Sequence, residues 1–231
     1  MTSPDLLLDD DQPALFALDG LETRPAWLVA RGLGVAGSRG PAYADLRLDL
    51  AAGDLHAVQG PAGSGRSTLL LTLAGRLART SGEVLVDGSS TAADAADLRR
   101  LAVVAHVAGV DDLDPTLTVR DHLRERRWAT GRDGRADLVA HLAPRTLVRD
   151  LGGHDRLLLH LALALPERGA DQPRLLVVDD LDRGLGPAHQ HDVWTLLREL
   201  ADDGLTVVGS CIDATAAGHL PHARTTLEEH R

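Results

Sequence analysis

The chain has 231 residues, enough for one large domain or a domain with a subdomain, and 44% of them are hydrophobic, so a sizeable core is expected. Its formal net charge of −10 repels nucleic-acid phosphates and argues against a DNA or RNA partner. A single cysteine, Cys211, excludes an internal disulfide and a cysteine zinc cluster and fits a reducing cytoplasm; no run reaches the roughly 18 apolar residues of a membrane span, so direct insertion is not expected.

In chain order, residues 1–24 mix Pro and Asp with one apolar patch at Leu15–Leu18 and read as a loosely ordered N-terminal extension. Met1–Asp11 carries Asp5, Asp9, Asp10 and Asp11 and no basic residue, the opposite of a signal peptide's start. Residues 25–231 are expected to form one domain. Trp27–Val29 and Leu46–Leu50 read as strands across a Gly/Ser/Pro-rich turn at Gly32–Pro41.

Leu55–Val58 is a short apolar strand. It leads into Gly60, Pro61, Ala62, Gly63, Ser64, Gly65, Arg66, Ser67 and Thr68, and then into the leucine-rich Leu69–Leu77. Strand, glycine loop and helix in this order make a phosphate cradle. The glycines let consecutive N–H groups point into one concavity, and the helix dipole adds to it. Ser67 stands where a hydroxyl would ligate Mg²⁺. Arg66 stands where this P-loop motif uses lysine. All 24 basic residues are arginine, so Arg66 reads either as drift under that bias or as a remodelled site. A planar guanidinium binds phosphate bidentately but does not replace a compact ammonium.

Ser81–Gly88 reads as a strand bounded by turns, and Leu101–Val107 as a buried strand interrupted by His106. Residues from about 112 to 155 read as a small helical subdomain. Val119, Leu123, Leu138, Val139 and Leu142 fall there at helical spacing around a break at Gly131–Gly134. Asp155–Leu165 and His189–Ala201 read as helices, and Leu175–Val178 and Thr206–Val208 as strands. Trp27, Trp128 and Trp194 read as packing residues, although Trp128 in the helical segment could face a partner instead. Alternating strands and helices predict an α/β fold with a mostly parallel sheet covered on both faces.

A phosphate loop needs an acidic companion. Leu175–Val178 followed by Asp179 and Asp180 supplies one, with Asp179 on the Mg²⁺ side and Asp180 in the place of the general base. With these pieces in order, residues from about 26 to 215 resemble the ATP-binding cassette of ABC transporters. Gly60–Leu77 resembles the family's Walker A motif and helix, Ser81–Gly88 the strand and turn after it, and Asp114–Leu123 the entry to the helical subdomain. Leu175–Asp180 resembles Walker B, and Leu197–Ser210 the approach to the switch region.

The resemblance implies a P-loop NTPase fold that binds ATP and Mg²⁺. It places the family's Q-loop glutamine on His106, its signature turn on Asp150–His154 with Gly152 and Gly153 retained, and its catalytic glutamate on Asp180. The signature serine falls on Leu151, the D-loop aspartate on Gly186 and the switch histidine on Ile212; no aromatic occupies the adenine-stacking position near residues 37–40, and Tyr43 lies too close to the next strand. The implied partners are a membrane permease and a second cassette, identical or different, which places the chain at the cytoplasmic face of the membrane through its partner. Two functions remain open: an ATP-binding subunit that hydrolyses ATP slowly to drive a permease, or an inactive cassette with a structural or regulatory role.

Overall fold

The computed structural model describes residues 24–38, 40–107, 109–110, 112–167, 169 and 172–229. The expected N-terminal extension, apart from Arg24, lies outside these residues.

Two sheets form the frame. The first is antiparallel, in the order β2–β1–β4, from β1 (Ala26–Gly37), β2 (Gly40–Ala51) and β4 (Ser81–Val86). The second has the order β5–β6–β7–β3–β8, from β5 (Ala102–His106), β6 (Leu175–Val178), β7 (Thr206–Cys211), β3 (Leu55–Gln59) and β8 (Ala223–Thr226), with every pairing parallel. Side chains alternate across the parallel sheet. Val58, Val177 and Val208 face helix α1 (Arg66–Leu73) and the antiparallel sheet. Ala57, Leu176, Val178 and Val207 face α4 (Gly153–Ala164) and α5 (Pro187–Asp202). Burial on both faces explains why β6 is an unbroken apolar run.

The sequence reading needs three corrections here. The turn expected at Gly32–Pro41 is strand almost throughout, because β1 and β2 pair as far as Gly37 and Gly40 with irregularities that absorb the glycines. Helix α2 (Ala95–Leu101) is short and was not foreseen; a reciprocal capping box between Asp94 and Asp97 starts it. Strand β8 has only polar or small residues, Ala-Arg-Thr-Thr, and so carries no apolar signal. Three buried leucines of α1, Leu69, Leu70 and Leu73, fill the space between the sheets. Arg174, just before β6, bonds both carboxylate oxygens of Asp87 at 2.7 Å and lies 4.1 Å over the Trp27 ring.

Helix α3 (Val119–Thr130) opens on a second capping box, Thr118 with Asp121, and stops at Gly131 in the left-handed region, φ 70°. Short 3-10 turns at Ala136–Val139 and Val148–Asp150 lead to α4. Among the described residues no helix is long and apolar enough to cross a membrane.

Candidate functional site

The ends of four parallel strands meet at one edge, where ligand sites of such sheets lie. Gly60, after β3, donates its N–H to Cys211 O of β7 at 3.3 Å. Asp179, after β6, donates to His106 O of β5 at 2.9 Å. The glycine loop curls there. Gly63 and Gly65 take φ of 86° and 89°, which L side chains rarely adopt, and a Cβ on Gly65 would lie 2.4 Å from Ala42 O. Gly60 is equally confined, 2.4 Å from Leu227 O. Pro61, Ala62 and Ser67 are exposed, Thr68 is half-buried, and Ser64 is buried with its N–H donated to Pro61 O at 3.2 Å.

Arg66, the first residue of α1, is only 8% exposed. Its Nη2 donates to Asp180 Oδ1 at 3.2 Å. Its Nη1 is buried and meets no acceptor among the described residues. The guanidinium thus ties the glycine loop to the carboxylate after β6 and keeps one donor unused. Asp180 itself sits at φ 50°, a conformation that aspartate tolerates better than most side chains. Arg183 Nη1 donates to the other oxygen, Oδ2, at 3.4 Å.

Ser210 was absent from the sequence-based set. Its buried hydroxyl donates to Asp179 Oδ1 and accepts the Asp180 N–H at 3.0 Å, so one β7 side chain orients both acids. Asp182 was also missed. Its Oδ2 accepts the N–H groups of Ile212 and Asp213 at 2.7 and 3.2 Å, tying the loop after β7 to the loop after β6. A polar residue at the end of a buried strand, as Ser210 is, was the available signal.

A cavity of about 820 Å³ opens beside Asp180, lined by that residue and among others by His106, Gly153, Arg156, His160 and Arg183. His106 lies 4.5 Å from His160 between ring centroids. Burial first, and the neighbouring His106 second, push His160 down to about 4. Gly152 and Gly153 start α4 on this side rather than joining the glycine loop, and a Cβ on Gly153 would meet Gly184 O at 3.0 Å. His154 stacks on His189 at 4.9 Å instead of joining the acids.

Leu151, where the resemblance places the signature serine, is buried in the core together with Leu157 and Leu158 of α4. Tyr43 packs under the glycine loop, 1% exposed, where it presents no face to a base. Trp27 and Trp194 are packed, at 6% and 1% exposure, but Trp128 is 84% exposed. Cys211 is buried and its thiol is pushed up to about 12, chiefly by burial.

The donor set suits nucleotide phosphates: turned glycines, a buried guanidinium with an unused N–H, and an exposed hydroxyl at Ser67. Among the described residues no group of three or more His, Cys, Asp or Glu could hold a metal ion. Mg²⁺ does not need one, since it binds through one carboxylate or hydroxyl together with phosphate oxygens.

Residues 43–182 match the family model described as "ABC transporter". The chain is 33% identical over 195 residues to the hemin import ATP-binding protein HmuV of Pseudomonas fluorescens (strain Pf0-1), covering 78% of this chain and 75% of that one. It is 30% identical over 209 residues to the ribose import ATP-binding protein RbsA 1 of Rhizobium johnstonii, covering 84% of this chain but only 38% of the relative. Among solved structures, the dimeric bacterial ABC transporter cassette MJ0796 superposes with a TM-score of 0.66 at 21% identity, covering 87% of this chain and 94% of that one. The family match spans the glycine loop, the helical segment and both acids after β6, the stretch that builds the site described above. The chain belongs to the ABC transporter family.

Proposed function

We propose that this chain is the ATP-binding subunit of a membrane transporter, peripheral at the cytoplasmic face, working with a separate permease and pairing with a second cassette. One observation carries the reading: the Arg66 guanidinium at the foot of the glycine loop is hydrogen-bonded to Asp180, the second acid after β6. That contact joins the two halves of an NTP site. HmuV and RbsA are by name import ATP-binding proteins, which supports the transporter assignment. The dimeric cassette structure supports pairing.

In this reading Gly60–Thr68 wraps the phosphates with its N–H groups, and Arg66 turns its donors from Asp180 to a phosphate oxygen. Ser67 and Asp179 would hold Mg²⁺, which when bound supplies positive charge to the β- and γ-phosphates. Ser210 keeps the Asp179 carboxylate and the Asp180 backbone in register. Asp180 accepts the proton of an attacking water once Arg66 and Arg183 release its oxygens. His106 borders the same cavity and would orient that water, while Gly152 and Gly153 would face the phosphates bound by the opposite cassette.

The second reading, a cassette that binds nucleotide without turnover, rests on that same Asp180. Two guanidiniums hold its two oxygens, and the carboxylate is one methylene shorter than glutamate. A misplacement of about 1 Å costs roughly a hundredfold in rate. Titration calorimetry with ATP, with and without Mg²⁺, tests the common part. Binding is expected, and Asp180→Asn should tighten it about tenfold by freeing Arg66 and removing a negative charge near the phosphates. No heat at millimolar ATP overturns the assignment. Phosphate release separates the readings: turnover near about 1 s⁻¹ sits in the ordinary range for enzymes and removes the inactive one.

A further inference from the structure

Helix α3 carries an arginine face that the nucleotide site does not use. Its buried side consists of Val119 and His122, with Leu123 packed against the core. On the other side, Arg120, Arg124, Arg127 and Trp128 follow one another at intervals of four, three and one residue. At 3.6 residues per turn these four fall within about 100° of one another around the helix. All four are exposed, and Trp128 is the most exposed of the chain's three tryptophans.

The surroundings leave this face positive. Arg120 and Arg124 form no ion pair among the described residues. Arg127 reaches Asp133 at 3.6 Å, but both side chains are more than half exposed, a pairing that holds little in water. Asp121 is engaged in the cap with Thr118, where its carboxylate offsets part of the charge of Arg120 and Arg124, and Glu125 is drawn to His122 at 3.6 Å. Arg126 points elsewhere, donating to Leu163 O and Arg132 O. At the start of the helix the Arg120 N–H bonds Pro144 O at 3.0 Å, which brings the exposed Arg145 alongside. A chain of net charge −10 therefore carries a local stripe of the opposite sign.

We infer that this face of α3 docks on the anionic headgroups of a membrane surface. The chemistry fits both parts of the stripe. Guanidiniums pair with phosphate oxygens bidentately, and an indole settles at the headgroup level with its ring toward the acyl chains. The shape fits as well. The four side chains are exposed along the outer surface of one helix, an arrangement that suits a broad flat partner better than a peptide seated in a groove. Each arginine near an anionic bilayer contributes about a fivefold gain in affinity, so three together give about a hundredfold. The contact is peripheral and stands on α3 alone, whether or not the chain serves a permease.

The test is co-sedimentation of the full chain with vesicles of phosphatidylcholine, with and without phosphatidylglycerol, alongside tryptophan emission. Binding is expected only with phosphatidylglycerol, with a blue shift of Trp128 and loss of both at about 0.5 M salt. Arg120→Gln, Arg124→Gln and Arg127→Gln together should lower the affinity about a hundredfold while keeping helix propensity. Arg31→Gln, Arg47→Gln and Arg76→Gln, which change net charge equally at exposed sites elsewhere, should change it far less. Trp128→Ala should abolish the shift. Equal binding to pure phosphatidylcholine, no binding at low salt, or equal loss in the two triple variants overturns the inference. So does a glutamate-rich peptide that shifts Trp128 emission when anionic vesicles do not, an outcome that assigns the face to an acidic protein segment.

Discussion

The glycine loop at Gly60–Thr68 and the glycine pair at Gly152–Gly153 both open onto a helix, yet they are held in opposite ways. In the first, backbone from other elements presses on the chain: Ala42 O under Gly65 and Leu227 O under Gly60, each 2.4 Å from where a Cβ would sit. Gly63 and Gly65 add left-handed φ values. In the second, Gly152 has ordinary extended backbone, φ −64° and ψ 165°, and nothing lies within 4 Å of a Cβ. Only Gly153 is confined, by the loop at Gly184. The loop at Gly60–Thr68 owes its shape to the fold itself. The turn at Gly152 is anchored beside the glycine, by the buried side chain of Leu151 and by the Arg156 guanidinium, which donates to Leu151 O at 3.2 Å.

That contrast can be broken by substitution. Gly65→Ala should have the largest effect, on the order of 4 kcal/mol, from strained φ and collision with the Ala42 carbonyl. A urea melt measures it, and nucleotide binding should be lost even where the chain still folds. A loss below about 1 kcal/mol would show that the loop is not clamped. Leu151→Ser should follow at about 3 kcal/mol, because it empties a core position and buries a hydroxyl. Restoring the signature serine alone should therefore lower stability and raise no activity. A stable, more active variant would show that the side chain can turn outward.

Acid sharpens the comparison, since each side holds a buried histidine whose charge burial opposes. His56 on β3, below the glycine loop, and His160 on α4 are both pushed down to about 4, mainly by burial. Their folded values lie below the unfolded value near 6.5, so the unfolded chain binds protons first. Stability from these neutral rings is complete above about pH 6.5 and is lost as pH falls toward 4, by roughly 2–3 kcal/mol for each ring. Thermal melts from pH 7 to 4 should show that slope, and His160→Gln should remove about half of it. A slope unchanged in this variant would place the proton uptake elsewhere. The smallest effect belongs to Gly152→Ala, within about 0.5 kcal/mol of the parent in a urea melt.

What was legible in the sequence follows from which forces leave a local mark. Strands buried on both faces, such as Leu175–Val178, are continuous apolar runs and could be read directly. β1 and β2 could not, because Gly32, Gly34, Gly37 and Pro41 signal a turn and only cross-strand pairing overrides them. β8 draws its place from His56 Nε2, 2.8 Å from Thr225 Oγ1, and from pairing with β3. In the candidate site, Arg66, Asp179 and Asp180 were legible because a glycine loop and two acids end their strands. The roles of Ser210 and Asp182 were not, since their partners come from the end of another strand, and only the polar end of a buried strand marked Ser210. Leu151 was placed by the family resemblance alone, which says nothing about which way a side chain points.

The two N–H groups that converge on Asp182 have a consequence in time rather than in space. Ile212 and Asp213 are exposed, yet their amides share one carboxylate oxygen at 2.7 and 3.2 Å. An opening that carries the Asp182 carboxylate away frees both amides at once. Such an opening forms a small cooperative unit in the ladder of local unfolding, and Asp182→Asn is expected to speed exchange at both amides together. The loop after β7 is thus clocked by the loop after β6.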